Sequence, residues 1–310
     1  MEGADWKLRM RKGRLSLVVK LLGLVKPLIH IMLLTITLGV IGFLSSIFIS
    51  ILGGYAILNI FGLETGISSS MIAAALILLV VVSSVGKYLE QLSGHYIAFK
   101  LLAVMRDKVF GALRKLAPAK LESKDRGNMI SIITADIEQI EVFYAHTIAP
   151  VSIAIICSAI MACFIGTYHY SLGIIALVGY LIVGFCIPFV NTKTGSKTGR
   201  EYRIGFGNLN SYILESLRGL REIIQYGQGE ERRRSISIKS LDLSRKNKRL
   251  KNREGNVSAV TDLVILASGL ATLATSIHLV KSGLVGIDAV VVCTIAMLGS
   301  FGPVVALSNL

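Results

Sequence analysis

Apolar runs near the length that crosses a bilayer recur six times in this chain, and that recurrence excludes most ways it can fold. A hydrocarbon core roughly 30 Å thick takes about 20 helical residues. Runs of that order occupy 28–61, 70–86, 148–168, 171–190, 257–280 and 286–307, the first long enough to tilt. Composition agrees. Hydrophobic residues make up 53% of the 310 before glycine is counted, against about 45–50% with glycine included in an average soluble domain. The basic start, "MEGADWKLRMRKGR", precedes an apolar stretch too long for a cleaved signal core. It reads as a retained anchor. The expected fold class is therefore an all-α membrane protein of six transmembrane helices.

Charge placement then orients the chain. Net charge is +14, with 33 Lys and Arg. Seven of them precede Pro27, nine lie between Lys87 and Arg126, sixteen between Lys193 and Arg253, and Lys281 alone is left over. The short connections at 62–69, "YHYS" and "KSGLVGID" are nearly free of positive charge. Positive residues collect on the cytoplasmic side. Residues 1–26 thus read as a basic cytoplasmic segment and 27–310 as a six-helix membrane domain of the plasma membrane, multi-pass, with both termini cytoplasmic. The same excess needs no nucleic acid to explain it, and aromatic stacking residues are sparse.

The cysteines, Cys157, Cys163, Cys186 and Cys293, all fall inside apolar runs and form no Cys-x-x-Cys. They read as small buried hydrophobes, not as a metal site. The five histidines are scattered at 30, 95, 146, 169 and 278, with no His-x-x-x-His pair. That argues against a membrane-embedded enzyme, which needs convergent acid, base or metal ligands.

The two long basic connections carry helical periodicity. Leu102, Met105, Val109, Leu113 and Leu116 are spaced 3, 4, 4 and 3, one helical face, and Pro118 stops it. A charged turn follows, then Ile130, Ile133, Ile137, Ile140 and Tyr144 climb back. The second connection repeats this on a larger scale with Phe206, Leu209, Ile213, Leu217, Leu220 and Ile224, broken by Gly227 and Gly229. As one helix, Ser171–Tyr226 extends about 84 Å, so roughly 50 Å projects beyond a 30 Å core. Glycines at 195, 199, 205 and 207 are places to expect a kink. A charged helix from about 231 to 256 returns. Helices with one apolar face pack on something, so each hairpin end is expected to meet a partner.

Several stretches resemble the permease domain of ATP-binding-cassette exporters. "LRKLAPAKLESKDRGNMISIITADIEQIEVFYAHTIAP" (113–150) is similar to their first intracellular loop and third span. "LESLRGLREIIQYGQGEERRR" (214–234) is similar to their second loop, commonly Glu-x-Leu-x-Gly-x-x-x-Ile-x-x-Tyr/Phe-Gly. "SFGPVVALSNL" (300–310) and "EVFYAHTIAP" resemble one branch, the cysteine and glutathione exporters of cytochrome bd assembly. Where that family often has Gly-Asp or Gly-Glu after the first turn, this chain has Gly127-Asn128.

The resemblance implies a dimer of two permease halves, homomeric or heteromeric, exchanging spans 4 and 5 in domain-swapped fashion within membrane lipid. It implies coupling ends that dock on a nucleotide-binding domain. Here those ends are Glu122, Ser123, Lys124, Asp125, Arg126 and Gly127, and then Tyr226, Gly227, Gln228, Gly229, Glu230 and Glu231. ATP and Mg would sit on that other domain. No Gly-x-x-x-x-Gly-Lys-Ser/Thr occurs in the 310 residues, so this chain is expected to hold no cofactor, metal or ATPase site of its own. It stops just after the sixth run, where family members continue to their ATPase. A piece of a fused half-transporter is the expectation, and a separate permease subunit the alternative.

Cavity residues are weighed singly. Asp262, early in the fifth run, is a carboxylate at membrane depth, where charge tends to face a cavity or partner. An interfacial, solvated acid is the plain alternative. His146 titrates near neutrality in its ordinary state. Lys87 and Glu90, at i and i+3, suit a local ion pair or a cavity-lining pair. Asn191 suits a hydrogen bond inside a bundle. Lys87, Lys193 and Lys197 would serve an anionic peptide or thiol. The functional expectation is ATP-driven export of a small solute such as a thiol, amino acid or peptide. The alternatives are a gradient-driven transporter or channel, and a lipid or multidrug exporter.

Overall fold

Proline and glycine decide where these apolar runs become helices and where the helices stop. The computed structural model describes residues 28–63, 66–116 and 147–308, without the side chains of 116, 193–197 and 308. Helix α1 is Ile29–Ile60, α2 Ser69–Leu116 and α3 Ala149–Tyr168. Helix α4 is Tyr170–Leu181, followed by a π-helical segment, Ile182–Cys186, and then α5, Ile187–Arg218. A short α6, Leu220–Gln225, precedes α7, Gly229–Lys281. The last run is two pieces, α8, Asp288–Gly299, and α9, Gly302–Ser308.

Six helical stretches are long and apolar enough to cross a membrane: Ile29–Ile60, Ser69–Lys115, Ala149–Tyr168, Tyr170–Thr192, Gly229–Lys281 and Asp288–Leu307. The all-α, six-span expectation is therefore met. Two spans continue far past the apolar run without a break. Helix α2 is 48 residues long and α7 is 53, about 72 and 80 Å.

Three helices end by one device. Gly62, Gly227 and Gly283 have φ of 74°, 66° and 70°, a left-handed turn that only glycine adopts without cost. At Gly227 its N–H donates to the Ile224 carbonyl (3.1 Å) and that of Gln228 to Ile223 (2.9 Å), so the last carbonyls of α6 are satisfied. The same pairing closes α1 and α7.

Helix α5 runs unbroken through the glycines at 195–207, where the sequence allowed a kink. The irregularity sits upstream, at Ile182–Cys186, just before Pro188 in the first turn of α5. Proline has no N–H for the carbonyl four residues back, and the backbone widens there into a π turn. Gly219 adds a break between α5 and α6 that heptad spacing did not reveal.

The described chain forms two units, Val178–Ala271 and the remainder. In the larger unit α1 and α2 touch backbone to backbone. A Cβ on Gly86 would lie 3.2 Å from the Gly42 Cα. The Ser83 hydroxyl donates to the Gly42 carbonyl (3.0 Å), and the Thr35 and Ser93 hydroxyls lie 2.8 Å apart. Small residues allow this approach, and hydroxyls join helices where water is absent. Phe48 meets Phe164 edge-on at 5.4 Å, and the Tyr55 and Tyr168 hydroxyls are 2.7 Å apart, tying α1 to α3. At one end Leu28, Ile97, Leu101 and Met105 form a buried cluster. Leu101, rather than the expected Leu102, is the fully covered residue of that face, with Leu102 packed at its margin.

Candidate functional site

The second unit pairs α5 and α6 with α7. Ile213, Leu217 and Leu220 of the expected stripe line a groove with Ile223, Arg232 and Ile236, and small and aromatic residues off the stripe join the pairing. Gly205 lets Leu243 and Lys246 approach to 3.4 and 3.6 Å of its Cβ position. Arg232 lies 4.2 Å from the Tyr212 ring centre and donates to Glu215 (3.1 Å), while the Lys239 ammonium lies 5.0 Å from the same ring. The Tyr212 hydroxyl first, and the Glu215 carboxylate after it, hold the Arg232 guanidinium above its ordinary pKa. Of the expected stripe, Phe206, Leu217, Leu220 and Ile224 are 50–70% exposed in this chain. Leu209 and Ile213 are half-covered.

The second hairpin end is tighter than expected. The turn is Tyr226–Gln228, and Gly229 already opens α7. Glu230 and Glu231 sit in the first helical turn, where carboxylates complement the helix dipole. Glu230 also accepts from Arg233 at 2.7 Å. Tyr226 is 75% exposed. The first hairpin end, Glu122, Ser123, Lys124, Asp125, Arg126 and Gly127, lies outside the described residues, as does His146.

Asn191 lines a groove of about 500 Å³ with Cys186, Ile187 and Val190 on one side and Arg253, Asn256, Val257 and Val260 on the other. Asp262 is exposed on α7 in this same unit. Lys87 and Glu90 belong to the other unit.

Lys87 and Glu90 do not pair. The Lys87 ammonium lies over the Phe43 ring of α1, 5.3 Å from its centre. Glu90 turns to α1, where its γ-carbon lies 3.1 Å from the Cβ position of Gly39, beside Ile153 of α3. One helical turn thus sends two opposite charges to different neighbours. Phe43 in turn approaches α9, with Cε1 4.0 Å from the Cβ position of Gly302. That glycine follows a break which the apolar average over 286–307 concealed. Ser300 and Phe301 interrupt the last span and are each 2% exposed. Pro303 has no N–H for the Gly299 carbonyl. Among the described residues no three His, Cys, Asp or Glu side chains converge to hold a metal.

Six helices long and apolar enough to cross a bilayer, two continued far past the apolar run, make a polytopic membrane domain. The family model described as the ABC transporter transmembrane region matches residues 28–304, and the chain belongs to that family. It is 42% identical over 301 residues to a protein of Haemophilus influenzae named a probable ABC transporter ATP-binding/permease protein, covering 97% of this chain and 54% of that one. It is 23% identical over 231 residues to the Escherichia coli glutathione/L-cysteine transport system ATP-binding/permease protein CydC, covering 71% and 39%. The Bacillus subtilis CydD protein of the same description is 25% identical over 140 residues, covering 45% and 24%. The chain spans about half the length of the first of these relatives and less of the others.

Proposed function

We propose that this chain is the membrane half of an ATP-driven exporter of small solutes, with thiols, amino acids or short peptides as cargo. ATP and Mg act on a nucleotide-binding domain, and α5–α7 carry its motion into the membrane. The observation that carries the reading is the hairpin itself. Its helices extend well beyond a bilayer, meet at the Gly227 turn, and leave Phe206, Leu217, Leu220, Ile224 and Tyr226 at least half exposed. An apolar face in water needs a cover. A second permease half covers the shaft, and the nucleotide-binding domain receives Tyr226, Gly227, Gln228, Gly229, Glu230 and Glu231. The Glu122–Gly127 end is the second contact of the same domain.

The separation of Val178–Ala271 as a unit supports exchange of spans 4 and 5 between halves. In this reading residues 1–26 and both hairpin ends are cytoplasmic. The charge asymmetry supports that orientation, and the plasma membrane is the site of action. The glutathione and L-cysteine named for the CydC and CydD relatives support the cargo class. Asp262, His146, Lys87, Glu90 and Asn191 remain the proposed cavity residues.

One observation favours a gradient-driven transporter instead: the last span is broken at Ser300–Phe301, as discontinuous spans are in such proteins. Inside-out vesicles holding the full-length protein separate the two. ATP should drive accumulation of radiolabelled L-cysteine or glutathione with the proton gradient collapsed by ionophore. Tyr226→Ala with Gly227→Leu should abolish it while the protein still inserts. Uptake that needs the gradient and ignores ATP, or survives those substitutions, refutes the proposal.

A further inference from the structure

A lysine at the end of a span is free to reach the headgroups. Lys87 instead lies on an aromatic ring beside a break in another helix. We infer that Lys87, Phe43 and the Gly299–Gly302 break form a recognition site for a small organic carboxylate. The inference deepens the transport reading by naming the group on the cargo that is read.

Three observations meet there. The Lys87 ammonium stands 5.3 Å from the Phe43 ring centre, so the cation–π contact fixes its position. Glu90, the acid best placed along α2 to neutralise it, is turned to Gly39. The charge on Lys87 is thus positioned by a ring, with no ion pair to Glu90. The same ring reaches Gly302 at 4.0 Å from the Cβ position. Gly299 and Gly302 are exposed, while Ser300 and Phe301 between them are buried. Two bare stretches of backbone are therefore presented at the break, and the buried pair anchors it.

The chemistry these groups recognise follows. A carboxylate takes the Lys87 ammonium in a charge-assisted contact. The short body of the solute lies along the Phe43 ring. The Gly299 carbonyl, which Pro303 cannot serve, accepts from an N–H or O–H of the solute. The absence of side chains at 299 and 302 brings this backbone up against Ser50 and Phe43 of α1.

Binding of radiolabelled L-cysteine to the purified full-length protein in nanodiscs tests this, with 3-mercaptopropionate (carboxylate, no amine) and cysteamine (amine, no carboxylate) as competitors. The acid should displace the label and cysteamine should not. Lys87→Met should weaken L-cysteine at least about tenfold, and Lys87→Arg, which keeps charge and stacking, should stay within about threefold of the parent. An Arg variant that binds normally also shows that the site tolerates substitution without misfolding. The inference is overturned if the Met variant binds as the parent does, if cysteamine competes as well as the acid, or if the parent binds no L-cysteine. ATP-driven accumulation in vesicles is scored separately. Its loss with the binding pattern intact removes the exporter reading and leaves the site. Its presence with the pattern absent does the reverse.

Discussion

The guanidinium of Arg232, at the start of α7, lies 4.2 Å from the ring centre of Tyr212 on α5, and this contact clasps the hairpin just behind its turn. Glu215 adds an ion pair, but its side chain is 71% exposed. Exposed pairs contribute about 0–1 kcal/mol. The ring therefore matters more than the acid. Arg232→Ala and Tyr212→Ala should speed amide exchange in α6 and the first turns of α7 and leave α2 unchanged. Glu215→Gln should have a small effect. Hydrogen-exchange mass spectrometry reads all three.

Two ion pairs along the charged part of α7 set a pH window. A hydrogen bond from Lys246, 2.6 Å away, is the main cause holding Asp242 below the usual carboxylate range. A depressed acid contributes stability above its unfolded pKa and loses it as pH falls through the folded value. A hydrogen bond to Glu254, 2.7 Å away, is the main cause raising Lys251. That contribution is present below the unfolded lysine pKa and is lost as pH rises through the folded one. Asp242→Asn with Lys251→Met should therefore lower exchange protection over 239–256 by a constant amount between roughly pH 5 and 9. The Asp242 part of the difference should begin to shrink as pH falls past the ordinary Asp value of about 3.9, and the Lys251 part as pH rises past the ordinary Lys value of about 10.4. Exchange rates rescaled for chemical exchange at each pH give the comparison.

Gly42 and Gly86 bring two backbones together, so Gly86→Ala cannot be absorbed by a side chain moving aside. A Cβ there meets the Gly42 Cα at 3.2 Å and the Leu38 carbonyl oxygen at 3.3 Å. Overpacking of this kind costs about 1–3 kcal/mol. Gly53→Ala, with nothing within 4 Å, is the control. Thermal unfolding in detergent should drop by several degrees for the first and stay level or rise for the second.

The turns at Gly227 and Gly283 lie at opposite ends of the path through α7, and they should face opposite sides of the membrane. In a protein with its four cysteines replaced, Ser282→Cys should react with an impermeant maleimide in intact cells. Gln228→Cys should react only after permeabilisation. The reverse pattern would invert the orientation drawn from charge.

The spans were legible because hydropathy over 20 residues is a bulk property that tertiary detail barely alters. What was not legible depends on single backbone groups or on another helix. The missing N–H of Pro188 moved the irregularity to Ile182–Cys186, away from the glycines where propensity placed it. The missing N–H of Pro303, with Gly299 and Gly302, split a run that averaged hydropathy reads as one span. On α5 and α6, counting apolar residues marked one stripe from Phe206 to Ile224; Ile213, Leu217 and Leu220 of it line the groove against α7, Phe206 and Ile224 stay exposed, and the stripe did not mark Gly205 and Tyr212 of the same pairing. Apolar periodicity finds a face that needs cover without telling which neighbour covers it. Lys87 was visible as a charge at the end of the second apolar run. Phe43, 44 residues away in sequence, was not, because only folding sets the ring under the ammonium.

Helix α7 has no proline and no interruption over 53 residues. Within its own unit, from Gly229 to Ala271, it offers no proline hinge to soak up a push. Over the roughly 64 Å of that stretch, a pivot of about 5° at one end swings the other by about 6 Å. In the exporter proposed above, a modest rotation at the Gly227 end would arrive in the bilayer enlarged, and a proline placed midway, at Asn252 for instance, would uncouple the two ends.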